Sequence, residues 1–216
     1  MVVLGEEWAA ILWASSIFPP FVYRHMRSLL PQVSIVTFDP RTEYIRADAM
    51  FMPTWGQSHI WNSWIGAQLD ALESTPAPAM PKRLFVSRNF RSTFRVLDNR
   101  EELERIAVAE GLTPIRPDEH SLPTQIALFR NAELVVGEFG SALHNALFAR
   151  RDTIVIALNW INGCQSRIAR FRHHRIGYLL PASGREVLFE PAAGRQHYAI
   201  DPDEFRMKLR EAVDEI

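Results

Sequence analysis

The chain has 216 residues, of which 47% are hydrophobic and 23% charged, a balance typical of a globular protein with a sizeable apolar core. Its 24 Lys and Arg against 25 Asp and Glu leave a formal net charge of -1, which argues against binding to nucleic acid or to an acidic membrane. The single cysteine, Cys164, excludes an internal disulfide and favours a reducing, cytoplasmic location.

The first 75 residues are predicted to form a partial, shortened α/β region. An apolar stretch at residues 8–18 follows two glutamates and ends at Pro19, which is unlike a signal peptide and too short for a membrane span. We expect a buried helix or strand there, and the alternative is an interfacial helix. Residues 33–38 have the composition of a strand, and the apolar residues of 55–72 recur at helical spacing.

Residues 76–82 contain three prolines and are predicted to be a linker. After it, residues 83–216 are predicted to alternate strands with helices. The predicted strands are 83–87, 113–116, 133–137, 153–158 and 177–180, and the predicted helices are 99–110, 122–131, 141–149 and the segment that Asp201 caps. This alternation predicts an α/β fold with a Rossmann-like parallel sheet layered with helices, whose ligands bind at the carboxyl ends of the strands.

A glycine-containing loop follows the third strand of this region. Gly140, Ser141 and Ala142 stand where a helix is predicted to begin, so their amides are candidate ligands for a phosphate. Many strand-to-helix turns contain glycine without binding anything, and that alternative stays open. The spacing differs from the dinucleotide fingerprint and from the phosphate loop of ATPases, which argues against both classes.

Three arginines follow the strand at 83–87. Arg88, Arg91 and Arg95 are predicted to lie at the same sheet edge as the glycine loop, where guanidinium groups suit a diphosphate. The alternative is a solvated loop in which they pair with nearby acidic residues.

His144 and Asn145 lie in the first turns of the helix predicted after the glycine loop and are candidates for the same site. No metal ion is predicted, since the other histidines are scattered and the adjacent His173 and His174 do not share one face of a helix or strand. Residues 201–203 match the pattern Asp-x-Asp of metal-dependent transferases, but they are better explained as a helix cap with proline at the first helical position.

Residues 83–158 resemble glycosyltransferase family 61. The shared pattern is a strand ending in Ser-Arg, a second Arg before an Asn and a helix, a helix containing Gln, and then a strand, a glycine loop, Asn and Phe. The matching positions here are Ser87, Arg88, Arg95, Asn99, Gln125, Gly140, Asn145 and Phe148.

The resemblance implies an inverting, metal-independent enzyme of the two-domain GT-B type that needs no cofactor. It implies a nucleotide-sugar donor, commonly a UDP-sugar, and a saccharide acceptor such as a bacterial capsular polysaccharide. Residues 83–216 would correspond to its C-terminal, donor-binding half. The candidate donor-binding residues are Arg88, Arg95, Asn99, Gln125, Gly140, Ser141, Ala142, His144 and Asn145.

A glycosyltransferase of this kind needs a general base. His59 is the first candidate, because the ordinary pKa of histidine suits proton removal near neutral pH, and Glu138 beside the glycine loop is the second. Family members usually have His-Gly-Ala where this chain has Phe139, Gly140 and Ser141. This difference and the short first region motivate an alternative, a non-catalytic nucleotide-sugar-binding or partner-binding module. A third reading, a nucleotide-sugar epimerase, lacks the dinucleotide fingerprint and the Tyr-x-x-x-Lys pair.

Overall fold

The computed structural model describes residues 11–15, 23–24, 27, 33–44, 46, 66–67, 69–71, 79–88, 95–161, 163–181 and 196–216. The chain divides into two compact units, Met1–Ile60 and Trp61–Ile216. In the first unit, strands β1 (Ile11–Ser15) and β2 (Ser34–Phe38) pair in parallel. This confirms the strand predicted at 33–38 and shows a strand within the apolar stretch 8–18.

The second unit contains most of the described elements. Residues 66–67 and 69–71, which belong to the helix predicted over 55–72, are helical. The strands that follow are β3 (Arg83–Val86), β4 (Arg95–Leu97), β5 (Thr113–Ile115), β6 (Leu134–Glu138), β7 (Ile154–Leu158), β8 (Arg175–Leu179) and β9 (Gln196–Tyr198). The α-helices are α1 (Arg100–Ala109), α2 (Leu122–Arg130), α3 (Gly163–Arg172) and α4 (Pro202–Asp214), and two 3-10 helices span Pro117–Glu119 and Leu143–Phe148.

Five of these strands form one sheet in the order β5-β3-β6-β7-β8, and every neighbouring pair is parallel. All five strands predicted for this region, and the parallel α/β sheet itself, are confirmed. From β3 the chain passes to β5 on one side and then to β6 on the other. Doubly wound sheets bind their ligands at such a switch point, beyond the carboxyl ends of the two central strands. Residue 87 and the loop at 139–142 therefore border the expected crevice.

Successive side chains of a strand point to opposite faces of the sheet, and helices pack against both faces. Leu84 of β3 belongs to a cluster with Phe129 of α2, whereas the next residue, Phe85, belongs to a cluster with residues of α1 and α4. The Phe85 ring meets that of Phe205 edge to face at 6.1 Å. Burial of such a side chain contributes roughly 1.5 to 3 kcal/mol, so the hydrophobic contacts on both faces hold the strand ends in place.

The central strands approach each other closely because β6 contains Gly137. A Cβ on this residue would lie 2.7 Å from both the Cβ and the carbonyl oxygen of Val86 in β3. Any larger residue would have to push the two strands apart. Gly137 thus fixes the spacing at the switch point.

Helix ends follow local rules. The Ser121 hydroxyl accepts a hydrogen bond from the Thr124 amide before α2, and Asp201 accepts hydrogen bonds from the amides of Asp203 and Glu204 at the start of α4. The interpretation of residues 201–203 as a cap is confirmed. Gly111, with φ of 83°, follows the C-terminal end of α1.

The helix predicted over 141–149 is present as a shorter 3-10 helix at residues 143–148. The Leu143 amide donates to the Gly140 carbonyl at 2.9 Å, and the Asn145 amide donates to the Ala142 carbonyl, which is the tighter hydrogen-bond spacing of a 3-10 helix. Helix α3 and the parallel pair β4–β9 were not predicted. No helix in the described ranges is long and apolar enough to cross a membrane.

Candidate functional site

Arg88 links the ends of the two central strands. It follows β3 by two residues, and its Nη1 donates a hydrogen bond to the carbonyl oxygen of Phe139, 3.1 Å away, directly after β6. Its guanidinium also lies against Gly140, where an added Cβ would be 3.0 Å from the Arg88 Cζ. Gly140 therefore leaves the space that the Arg88 guanidinium fills.

Arg95, at the start of β4, reaches the same loop. Its Cζ lies 4.9 Å from the ring centroid of Phe139 and 4.9 Å from that of Trp160, within the range of cation–π contacts. Burial lowers the pKa of Arg95, and the nearby charge of Arg88 lowers it further. Two guanidinium groups with mutual repulsion thus meet at Phe139.

A buried ion pair lies at the end of β6. Arg100, the first residue of α1, binds Glu138 Oε1 through Nε and Nη2, each at 2.7 Å, and the Tyr198 hydroxyl donates to Oε2 at 3.1 Å. Burial and then the Glu138 charge raise the pKa of Tyr198, so this hydroxyl stays protonated. Both oxygens of Glu138 accept hydrogen bonds, and any removal of a substrate proton by this carboxylate would require those bonds to open.

The charges at this edge of the sheet do not cancel. Glu138 is neutralised by Arg100, whereas Arg88 and Arg95 have no ion-pair partner within the described part of the chain. A partly buried cation without a direct ion-pair partner is unfavourable unless an anion completes the site. The arrangement is therefore suited to a ligand with two negative charges.

The glycine loop beside Arg88 contains backbone amides without an acceptor. The amides of Leu143 and His144 donate to the Gly140 carbonyl, whereas those of Gly140, Ser141 and Ala142 have no acceptor among the residues that the structure describes. Backbone amides without an acceptor are candidate donors to an anion. Since the following helix is a six-residue 3-10 helix, any anion binding here depends on individual amides and side chains.

His144 lies near Arg88 and contacts Phe139. Its ring meets that of Phe139 at a centroid distance of 5.7 Å. Burial lowers the pKa of His144, with a further contribution from the charge of Arg88, so the imidazole is neutral at neutral pH. Its Nε2 is buried and has no hydrogen-bond partner in the described structure.

The side-chain amides predicted to contact the donor are bonded within the protein. Asn99 donates from Nδ2 to the Ile200 carbonyl at 2.8 Å and accepts from the Ile200 amide at 3.3 Å. Gln125 donates to the His120 carbonyl, and Asn145 donates to Gln125 Oε1, both at 2.9 Å. The geometry gives these residues a role in joining elements, and contact with a donor stays a prediction.

Two predicted residues, His59 and Arg91, lie outside the described residues. Sequence reasoning missed Arg100, Tyr198 and Trp160. Trp160 follows β7 by two residues, in a loop that a parallel sheet places at the ligand-binding edge. An aromatic residue in such a loop is the sequence feature that could have identified Trp160 as a site residue.

Within the described ranges, no three His, Cys, Asp or Glu side chains are grouped in a way that would hold a metal ion.

A protein-family model described as Glycosyltransferase 61 matches residues 12–156 of the 216. The match begins in β1, includes both arginines and the glycine loop, and ends within β7. Trp160 lies beyond it. No curated protein matches the chain.

Proposed function

The chain belongs to glycosyltransferase family 61, and we propose that it transfers a sugar from a UDP-sugar to a saccharide acceptor of a bacterial surface polysaccharide in the cytoplasm. We further propose that its second unit binds the donor as the C-terminal half of a GT-B enzyme does. In this proposal the reaction inverts the anomeric centre and uses no metal ion.

One observation carries the proposal: Arg88 and Arg95 both contact Phe139 at the switch point of the sheet, and neither has an ion-pair partner among the described residues. Each charge-assisted hydrogen bond to phosphate contributes about 1.5 to 3 kcal/mol. Two guanidinium groups therefore match the two phosphates of a nucleoside diphosphate.

The same charges favour bond cleavage. In a single displacement, the acceptor hydroxyl oxygen attacks the anomeric carbon, the bond from that carbon to the diphosphate oxygen breaks, and the acceptor proton passes to a base. Negative charge grows on the departing diphosphate, where fixed cations stabilise the transition state more than the ground state. Arg88, Arg95 and the amides of residues 140–142 would supply that stabilisation.

The proton acceptor is proposed from the two predicted residues. His59 is the preferred candidate because neutral imidazole accepts a proton near pH 7. Glu138 would act in this role only after losing its bonds to Arg100 and Tyr198, so its proposed contribution is to hold α1 and β9 at the end of β6.

The proposal is tested by incubating the protein with a panel of nucleotide-sugars and polysaccharide acceptors while measuring the release of free nucleoside diphosphate. We expect release from a UDP-sugar, with loss of at least about tenfold in the rate for Arg88→Ala and Arg95→Ala. Arg206→Ala, which removes an exposed arginine of α4 paired with Asp203, is the matched control. Equal rates in all three variants would contradict the proposal.

Both carboxylate oxygens of Glu138 already accept hydrogen bonds from Arg100 and Tyr198. This favours a second candidate function, a non-catalytic nucleotide-sugar-binding module. That candidate predicts binding of a UDP-sugar with no release of UDP, and with the same affinity in His59→Ala. Turnover that depends on His59 would exclude it.

A further inference from the structure

Arg95 is held by aromatic rings where a half-buried arginine would ordinarily pair with a carboxylate. We infer that Trp160 is a positioning residue for the donor: together with Phe139 it fixes the Arg95 guanidinium at the anion site while leaving its positive charge uncancelled. This inference rests on the proposed function, because the anion is the donor's diphosphate.

The two rings are fixed by the sheet. The Phe139 amide donates to the Leu158 carbonyl at the end of β7, at 3.1 Å. Asn159 follows with φ of 85° and is almost fully buried, and its amide donates to the Leu179 carbonyl of β8 at 2.7 Å. The left-handed conformation of Asn159 turns the chain after β7. The position of Trp160 is therefore set by this turn and by the two hydrogen bonds that hold the residues immediately before it.

The resulting contacts form a triangle. The rings of Phe139 and Trp160 meet edge to face at 5.3 Å, and the Arg95 Cζ is 4.9 Å from each centroid. The backbone of Arg95 is itself fixed by pairing of β4 with β9. Both ends of the arginine are therefore held before any ligand arrives.

An aromatic contact differs from a salt bridge because it leaves the charge of the arginine available to a ligand. The attraction between a guanidinium and a ring restrains the side chain, but the full positive charge persists and can still attract an anion. Arg95 makes no hydrogen bond to another described residue. Its Nη1 is buried without an acceptor, which leaves the other guanidinium N–H groups as the donors for a phosphate oxygen.

The experiment is calorimetry with UDP and with uridine on the wild-type chain, Trp160→Leu, Trp160→Phe, Arg95→Ala and the double variant Trp160→Leu/Arg95→Ala. Trp160→Leu should weaken UDP binding about tenfold, which is the loss expected from a desolvated cation–π contact. Trp160→Phe should retain affinity within about threefold, since an aromatic face remains. Uridine affinity should not change, and Trp160→Leu should add no loss to Arg95→Ala.

Equal losses of UDP and uridine affinity in Trp160→Leu would show that Trp160 contacts the base and would overturn the inference. Independent, additive losses in the double variant would overturn it as well. Thermal melts identify a variant that does not fold, and Trp160→Met then replaces Trp160→Leu. If Arg95→Ala weakens UDP binding but the Trp160 variants do not, only this inference fails. If the wild-type chain does not bind UDP, the proposed function fails with it.

Discussion

Arg100 and Glu138 form an ion pair at 2.7 Å whose side chains are 4% and 2% exposed. The pair joins the start of α1 to the end of β6, and Tyr198 of β9 completes it through the second carboxylate oxygen. Three elements are thereby held together immediately before the loop that contacts Arg88 and Arg95. Removing one partner of such a pair leaves a buried charge without compensation.

Glu138→Gln should therefore lower the free energy of unfolding by about 3 to 5 kcal/mol, as measured by urea denaturation. Glu211→Gln is the matched control, because it removes a carboxylate from an exposed pair with Lys208 and should cost less than about 1 kcal/mol. If Glu138→Gln instead keeps wild-type stability and UDP affinity while turnover vanishes, then Glu138 is the general base and its positioning role is wrong.

Gln125 and Asn145 are predicted to support folding through their mutual hydrogen bond, which ties α2 to the 3-10 helix at 143–148. A double-mutant cycle with Gln125→Ala and Asn145→Ala should give a coupling energy of about 0.5 to 1.5 kcal/mol in unfolding experiments. UDP affinity should change by less than about threefold. Large losses of affinity at unchanged stability would instead place both side chains on the nucleotide.

Gly140→Ala should displace the Arg88 guanidinium. The added Cβ would lie 3.0 Å from the Arg88 Cζ, at a backbone φ of 156° that side chains rarely adopt. Because the Arg88 side chain can move, we expect a loss of about 1 kcal/mol in stability and a loss of about tenfold in UDP affinity by calorimetry. Gly177→Ala, whose Cβ would have no neighbour within 4 Å, is the control. Unchanged UDP affinity in Gly140→Ala would show that the position of Arg88 is irrelevant to binding.

The five strands of the sheet were predictable because their signal is local. Residues 154–158, for example, form a continuous apolar run of the kind that a strand buried on both faces requires. The caps at Ser121 and Asp201 were predictable for the same reason, since each bonds to amides two or three residues away.

Helix α3 was missed because its buried face is partly polar. Gln165 and Arg172 belong to that face, and Arg172 is buried through a salt bridge to Asp70 at 3.0 Å, a residue 102 positions earlier in the chain. Apolar periodicity therefore does not mark this helix.

The contacts of the candidate site could not be predicted because they are non-local. Asn99 bonds to Ile200, and Arg95 meets rings from the loops after β6 and β7. The sequence placed Arg88, Arg95 and the glycine loop at one edge of the sheet, as the parallel strands require. Only the structure shows that Trp160 joins them, and that the helix predicted after Gly140 is a 3-10 helix.

The folded protein should become less stable at acidic pH because His174 is buried in its neutral form. Burial lowers its pKa from 6.5 to about 4, so between these values the unfolded chain binds a proton that the folded chain does not. The free energy of unfolding should therefore fall as the pH drops from 6.5 toward 4, by up to about 1.4 kcal/mol per pH unit. Denaturation at pH 7, 6 and 5 should give a smaller slope for His174→Gln than for the wild-type chain. Identical slopes would show that His174 does not contribute.

The most direct test of the account is calorimetry of UDP and UMP binding to the wild-type chain, Arg88→Ala, Arg95→Ala and the control Arg206→Ala. If Arg88 and Arg95 bind the diphosphate, each alanine variant should lose about 10- to 100-fold in UDP affinity. The wild-type preference for UDP over UMP should shrink in both, while Arg206→Ala behaves as wild type. Identical UDP affinities in all four proteins, or no binding by any of them, would contradict the claim that these arginines hold the donor.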